Sequence, residues 1–296
     1  MRVAIQGISG SFHEIAARRY FKNENIEIVE CVSFNDLFDS LDYDEADIGV
    51  VAIENTVAGS IIPNYALLKN SHLKVMGEVY LRIEQHLLAL PEDNLSDIKE
   101  ILSHPMAIEQ CHEFLNPLRR NHVRLIDSED TALSAKRIKE NNLRGVAAIG
   151  SDLAAEKYGL KILAKSIETN KRNFTRFLVV SNEKNYRDHT LKKNINKASI
   201  NFKLPNENGS LSRVLSVLAF YKINLTKIQS LPIVGKEWEY MFYADLVFSD
   251  YKTYRLALDA IRPLTIDLDV LGEYEKGKRP DKNGNEIEEE TVSVKY

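Results

Sequence analysis

Asn173-Phe174-Thr175-Arg176-Phe177-Leu178-Val179-Val180 is the stretch on which the reading of the fold turns. Polar and apolar residues alternate and then give way to a continuous apolar run, the pattern of a strand that ends inside a core. A hydroxyl and a guanidinium stand at the edge of that core, where an unpaired charge is costly, so Arg176 needs an anion. About 170 residues of alternating strand and helix signals precede it, and a strand that returns so late to a sheet already built reads as the floor of a cleft. On these residues alone two readings stand. Either Thr175 and Arg176 face a bound anion, or Thr175 is an ordinary strand residue and Arg176 pairs with Glu54 or Asp152.

Upstream, five short apolar runs each end in Gly, Ser, Asn or His and open a helix, which predicts a parallel βαβα sheet with ligand loops at one end. They are Arg2 to Gln6 with a helix through Phe21, Ile48 to Ile53 with the loop Glu54 to Ser60, Glu100 to Ser103, Val123 to Ile126, and Gly145 to Ile149. Pro105 suits the first position of a helix expected through Phe114, because the missing N–H is unsatisfied there anyway, and His104 before it could act as an acid near neutral pH or cap that helix, a structural or orienting role being favoured. Ser11 with Glu14 predicts a capping box, and Ser60, Ser128 and Ser151 read as N-caps, with Gly159 as a helix stop. Several helix N-termini around one crevice suit a ligand with carboxylate or phosphate groups. Neither G-x-G-x-x-G nor G-x-x-x-x-G-K-[ST] is present, so a dinucleotide or ATP is not favoured.

The rest of the composition narrows the class. The 296 residues are 44% hydrophobic with a net charge of -4, enough for two or three folding units and without the basic footprint of a nucleic-acid binder. No run reaches the roughly 18 apolar residues of a membrane span. Met1-Arg2-Val3-Ala4-Ile5 enters a strand directly, which points to a cytoplasmic protein. Cys31 and Cys111 stand far apart and the seven histidines are scattered, so neither a disulfide framework nor a metal site is expected.

Beyond Val180 the chain turns polar, and a linker is expected at residues 183–196. From Ala198 the order is strand to Leu204, helix Ser210 to Tyr221, strand Leu225 to Ile233, strand Tyr240 to Phe248, helix Tyr251 to Ile261 and strand Ile266 to Leu271. This βαββαβ order predicts an α+β ferredoxin-like domain over residues 197–275. Residues 276–296 are rich in Lys, Glu, Asp and Gly and read as a charged tail, mobile or an arm.

The chain resembles the prephenate dehydratases over nearly its whole length. The blocks that carry the resemblance are Gly7 to Ala17 (GISGSFHEIAA), Glu54 to Leu68 (ENTVAGSIIPNYALL), His104 to Cys111 (HPMAIEQC), Ala147 to Leu160 (AAIGSDLAAEKYGL) and Asn173 to Phe177 (NFTRF). Gly209-Ser210-Leu211 is similar to the G-A-L turn of an ACT regulatory domain, and Gln229-Ser230-Leu231-Pro232 stands where that domain usually has E-S-R-P. His13-Glu14 replace the S-H pair common in the first block, so no proton-transfer role is carried over to them.

The resemblance implies a two-lobed α/β catalytic domain of the type II periplasmic-binding-protein-like kind at residues 1–182. Lobe 1 would hold about residues 1–80 and 172–182 and lobe 2 about residues 81–171, with a cleft between them. It implies a cofactor-free lyase, without metal, that takes prephenate to phenylpyruvate by loss of carbon dioxide and water. Thr175 would hydrogen-bond the departing oxygen and Arg176 would clamp a substrate carboxylate. Ser11, Asn55, Thr56, Gly59, Ser60 and Asn173 would complete the cradle, and Phe177 would pack beneath it. Phenylalanine would bind as allosteric effector near Gly209, Leu211, Gln229 and Ser230, in a homodimer or homotetramer, with Leu231 in the place of the usual arginine. Arogenate is the neighbouring substrate, and a non-catalytic sensor of aromatic amino acids is the reading from a different class.

Overall fold

A computed structural model describes residues 1–22, 24–183, 185–186, 194–233, 235–280 and 286–287. Its N-terminal part runs β1 (Arg2–Gln6), α1 (Phe12–Tyr20), β2 (Glu27–Cys31), α2 (Phe34–Asp42), β3 (Ile48–Asn55), β4 (Gly59–Ser60), α3 (Ile62–Asn70) and β5 (Lys74–Arg82). There follow β6 (His86–Ala89), β7 (Glu100–Ser103), α4 (Pro105–Gln110), α5 (His112–Arg120), β8 (Arg124–Asp127), α6 (Thr131–Glu140), β9 (Val146–Gly150), α7 (Asp152–Tyr158), β10 (Lys161–Ala164) and β11 (Phe174–Ser181). The C-terminal part runs β12 (Lys197–Lys203), α8 (Ser210–Phe220), β13 (Asn224–Pro232), β14 (Tyr240–Val247), α9 (Tyr251–Ile261) and β15 (Ile266–Tyr274), and ends in the short pair β16 (Arg279–Pro280) and β17 (Glu286–Ile287). Among the described residues no helix is long and apolar enough to cross a membrane.

The chain divides into two compact units, Met1–Ser60 with Val79–Phe177 and Lys278–Tyr296, and Ile61–Glu78 with Leu178–Gly277. This differs from the boundaries expected at residues 182 and 197, because α3 and most of β5 group with the C-terminal sheet. Of the expected linker, residues 184 and 187–193 lie outside the described residues, as do 281–285 and 288–296 of the tail.

The N-terminal part of the chain, through β11, holds two sheets. One has the order β2-β1-β3-β11-β5 with β4 on β3, and the other β10-β6-β9-β7-β8. The expected all-parallel sheet is corrected: β1 pairs in parallel with β2 and β3, and β7 with β8 and β9, but β4 is antiparallel to β3 and β6 to both β9 and β10. In the second sheet β6 is buried throughout. Leu87 and Ala89 enter one apolar cluster and Leu88 and Leu90 another, as expected of a strand covered on both faces. The helix expected through Phe114 is two helices meeting at Cys111, whose buried side chain joins the first of these clusters. Ser128 is not a cap: Asp130 takes that role for α6, accepting from Leu133 N–H. Ser60 lies in β4, and Ile61 is the N-cap of α3, with no side-chain cap hydrogen bond. Ser151 caps α7 as expected, and Gly159 ends it at φ 60°. The strand β2 and helix α2 carry no expectation from the sequence, since β2 (EIVEC) is a short edge strand with Glu27 and Glu30 exposed and no clean alternation.

In the second unit the βαββαβ order holds, with an antiparallel sheet β13-β14-β12-β15. Alternation along β12 sends Ala198, Ile200 and Phe202 into the core formed with α8 and α9. The opposite face of β12 is polar yet buried. Lys197 Nζ donates to both carboxylate oxygens of Glu78 at 3.0 and 2.8 Å, and Gly277 N–H donates to the same carboxylate at 3.0 Å. Tyr65 of α3 lies against Tyr243 at 5.1 Å between ring centroids. A Cβ on Gly272 would fall 2.0 Å from the Val75 carbonyl oxygen, so no side chain fits there.

Both members of the Glu78–Lys197 pair are essentially buried, so removing one strands the other's charge. Lys197→Met should therefore lower unfolding stability by about 3 kcal/mol or more, read from urea denaturation. The double change Lys197→Met with Glu78→Leu should recover most of that loss, and an unchanged urea midpoint for the single change would rule the pair out as a structural element.

Candidate active site

The first loop of the chain is held by its glycines. Gly7 and Gly10 have φ of 90° and 93°, conformations that disfavour any side chain. A Cβ at Gly7 would lie 2.9 Å from Asp130 Oδ2, and one at Gly10 3.0 Å from Ala154 Cα. The loop therefore lies directly against the starts of α6 and α7. Ser151 Oγ donates to the Gly10 carbonyl and Tyr158 OH to the Ser9 carbonyl, each at 2.6 Å. Together with α1, three helix N-termini converge on this loop, which favours negative charge there. Burial in turn pushes the carboxyl of Asp130 upward against the N–H groups of Leu133 and Ala132.

The expected capping box at Ser11 is half present. Ser11 Oγ accepts from Glu14 N–H at 3.4 Å, but the Glu14 carboxylate accepts from Gly10 N–H at 2.7 Å and from Lys157 Nζ at 2.6 Å instead of from Ser11 N–H. The reason is that the Ser11 N–H already donates to the Ile8 carbonyl. Burial would raise the Glu14 carboxyl, but the hydrogen bonds from Lys157, Gly10 and Arg18 hold it below its ordinary value. His13 stands edge-on to Phe177 with centroids 5.0 Å apart. Burial takes its imidazole down to about 4, and Nε2 has no hydrogen-bond partner among the described residues. It is neutral at neutral pH.

Thr175 is 8% exposed and sits in a short chain of amides. Asn55 Nδ2 donates to Thr175 Oγ1 at 2.9 Å and to Asn173 Oδ1 at 2.7 Å. Asn173 Nδ2 donates onward to Gln110 Oε1 at 2.8 Å. The other end of Asn55 is fixed as well, since Oδ1 accepts from Val57 and Ala58 N–H, both at 2.8 Å. Thr56 locks the strand start: its N–H donates to the Phe174 carbonyl, and its hydroxyl donates to the Arg172 carbonyl while accepting from Phe174 N–H. Thr175 thus uses its oxygen as an acceptor, and its hydroxyl hydrogen has no acceptor among the described residues. Gln110 was not singled out from the sequence. The signal available was a polar residue closing the run Pro105 to Gln110, and the helix break at Cys111 places it at the end of α4, where its carbonyl also accepts from Thr169 N–H.

Arg176 does not join this group, which corrects the expectation of a guanidinium and hydroxyl in one pocket. Successive residues of a strand face opposite ways, and Arg176, 3% exposed, pairs with Glu54 at 3.2 Å on the other side. That side opens into a cavity of about 450 Å³ lined by Asn55, Thr56, Gly59, Ser60 and Arg176 among others, but not by Ser11, Asn173, Thr175 or Phe177. The expected cradle is therefore divided between two faces of β11, with Asn55 serving both. Phe177 is 1% exposed, beneath the Thr175 face as expected. His104 is the N-cap of α4, its Nδ1 accepting from Met106 N–H at 3.2 Å. Of the expected effector residues, Leu211 lines a second cavity of about 520 Å³ together with Ser210, Asn206 and Trp238, whereas Gly209, Gln229 and Ser230 do not line it. Within one chain these four are not brought together, since Gln229 and Ser230 stand on the edge strand β13.

The prephenate dehydratase family model matches residues 3–185. The chain belongs to the prephenate dehydratase family. It is 37% identical over 286 residues to arogenate dehydratase/prephenate dehydratase 2, chloroplastic, of Arabidopsis thaliana, covering 93% of this chain and 72% of that protein. It is 34% identical over 278 residues to the bifunctional chorismate mutase/prephenate dehydratase of Escherichia coli (strain K12), covering 92% and 70%. Among solved structures it is similar to prephenate dehydratase in complex with L-Phe from Arthrobacter aurescens, with a TM-score of 0.81, 25% identity, and coverage of 97% of this chain and 92% of that one.

For this family member the Glu14 contacts give a pH signature. A carboxyl held below its unfolded value contributes stability that is present above about 4.5 and lost as pH falls through the folded value. Glu14→Gln should flatten the acid limb of a plot of Tm against pH, and an acid limb identical to the parent's would remove Glu14 from the account.

Proposed function

We propose that the chain is a prephenate dehydratase whose chemistry takes place on the Thr175 face of β11. The observation that carries this reading is the Asn55–Thr175 hydrogen bond at 2.9 Å, which leaves the threonine hydrogen for another acceptor. In the reaction the ring carboxylate leaves as carbon dioxide, its C–C bonding pair enters the ring, and the ring expels the 4-hydroxyl, which takes up a proton and leaves as water. Aromatisation drives both cleavages. A threonine hydroxyl is too weak an acid to give its proton away freely, so Thr175 acts by hydrogen bonding to the oxygen as charge grows on it. Asn55, Asn173 and Gln110 hold the hydroxyl in place, a positioning that requires no movement when charge develops. Ser11 and the N-termini of α1, α6 and α7 favour the substrate carboxylates by their positive ends. Arg176, turned away and paired with Glu54, supports the strand in this reading and is not a clamp on the reacting substrate.

The larger architecture belongs to the same proposal. Two α/β lobes of the type II periplasmic-binding-protein-like kind are supported by two separate sheets in the N-terminal part of the chain, joined where the chain passes from β5 to β6 and from β10 to β11. An ACT domain at residues 197–275 is supported by the βαββαβ order, and phenylalanine as its effector by the Arthrobacter aurescens relative, which is a complex with L-Phe. Effector residues separated within one chain fit a site completed in a cytoplasmic homodimer or homotetramer. Arogenate is the second substrate to test, because a relative carries both activities in its name.

Thr175→Ala should lower kcat on prephenate by about 100-fold with KM little changed, and Thr175→Ser should retain most activity, measured as phenylpyruvate absorbance in alkali. Near-normal turnover by Thr175→Ala would overturn the assignment. Binding of prephenate without turnover by the parent would leave the sensor reading in its place. L-phenylalanine should inhibit the parent and lose potency at least fivefold against Leu211→Ala, since that side chain lines the second cavity.

A further inference from the structure

The chain crosses between the two sheets of its N-terminal part twice, at Ile83 to Gln85 between β5 and β6 and at Lys165 to Asn173 between β10 and β11. The second crossing delivers Asn173 and, two residues further on, Thr175. Hydrogen bonds join the two crossings along their length. Ile167 N–H donates to the Gln85 carbonyl at 2.7 Å, and Ile83 N–H to the Asn173 carbonyl at 2.8 Å. Ser166, at φ 49°, donates from its N–H to His86 Nδ1 at 2.9 Å and from its hydroxyl to Glu84 Oε2 at 3.1 Å. Between these contacts stands the carboxylate of Glu168, 1% exposed, whose Oε2 accepts from Gln85 N–H at 3.0 Å. The next residue, Thr169, donates its N–H to the Gln110 carbonyl at 2.7 Å, and the side chain of the same glutamine holds Asn173.

As an element of stability alone, Glu168 is poorly served. Its Oε1 accepts no hydrogen bond among the described residues and faces Arg82 Nη2 and Lys171 Nζ at 3.6 Å each, while Arg82 has a closer partner in Glu84 at 2.9 Å. A carboxylate withdrawn from water with one oxygen met only by loose ion pairs costs folding free energy that an apolar side chain would not. An apolar side chain, however, could not accept from Gln85 N–H. We propose that Glu168 is a positioning residue for the reaction at Thr175: it fixes the second crossing on the first and, through Thr169, Gln110 and Asn173, sets where the Asn55–Thr175 pair stands. The reach of the side chain carries this role and its charge does not, because the bond that joins the crossings is one to a backbone N–H. A reacting group misplaced by about 1 Å loses on the order of 100-fold in rate, so a tie at this distance from the chemistry is felt in turnover. This inference rests on the assignment of the chemistry to Thr175.

The test is steady-state kinetics of the full chain on prephenate with Glu168→Asp, Glu168→Gln and Glu168→Ala, each made in the parent and again in the Thr175→Ala background. Glu168→Asp keeps the charge that Arg82 and Lys171 face but draws the carboxylate back by one methylene. It should lower kcat about tenfold or more with KM within about threefold. Glu168→Gln keeps both the reach and the acceptor, and should recover kcat to within about threefold of the parent. Glu168→Ala should lose at least as much as Glu168→Asp, and if urea unfolding shows that it does not fold, the Asp and Gln variants decide. In the Thr175→Ala background each change should cost less than about twofold, since no hydroxyl is left to position, whereas a general loosening of the fold would slow both backgrounds alike. The proposal is overturned if Glu168→Asp turns over like the parent, if Glu168→Gln is as slow as Glu168→Asp, or if the losses multiply in the Thr175→Ala background. Near-normal kcat of Thr175→Ala by itself would overturn the assignment of the chemistry and this proposal with it, an outcome read before any change at Glu168 is made.

Discussion

Asn55 is the residue on which the site depends. It lies half-buried at the end of β3, where an amide partly withdrawn from water costs the fold stability unless its donor and its acceptor find partners. It finds all of them within a few ångströms. Its oxygen holds the turn that follows β3, and its nitrogen reaches across to Asn173 and Thr175 on β11. A substitution that removes the amide would take this partner from the turn N–H groups of Val57 and Ala58, from Asn173 Oδ1 and from the Thr175 hydroxyl oxygen. This constraint accounts for an asparagine at a position where a strand would otherwise favour a β-branched residue.

The same geometry separates two chemistries that adjacent residue numbers suggest should be one. β11 presents Thr175 and Phe177 to one side and Phe174 and Arg176 to the other. Donation to a departing oxygen requires a hydroxyl held in a dry, neutral setting, and His13 next to Phe177 is uncharged at neutral pH. A guanidinium on that side would add a charge needing its own partner, whereas on the reverse side Glu54 supplies it. Membership of the prephenate dehydratase family is therefore compatible with an arginine that serves the strand and a threonine that serves the reaction.

Much of the fold could be read from the chain because its local signals agree. Ser151 and Gly159 bracket α7, Pro105 opens α4, and the βαββαβ run shows clear changes of period from two to 3.6. The missed elements are those whose signal is weak or distant. β2 is half solvated and short, so its alternation does not stand out. Glu14 was expected to bond Ser11, yet the carboxylate turns to Gly10 and Lys157, a choice set by α7 more than 140 residues away. The Glu78–Lys197 pair and the contact of Gln110 with Asn173 are likewise long-range and leave no local trace. The face of Arg176 was within reach of the sequence, since a strand period of two already separates it from Thr175.

The central claim is that Asn55 and Thr175 act on the departing oxygen as one unit, and a double-mutant cycle in kcat measures this most directly. Purified parent, Asn55→Ala, Thr175→Ala and the double variant are compared at saturating prephenate. The account predicts that Asn55→Ala loses most of what Thr175→Ala loses, and that the double variant is no slower than the slower single one to within about threefold. Losses that multiply in the double variant would mean that the two residues act independently, and the account would be wrong.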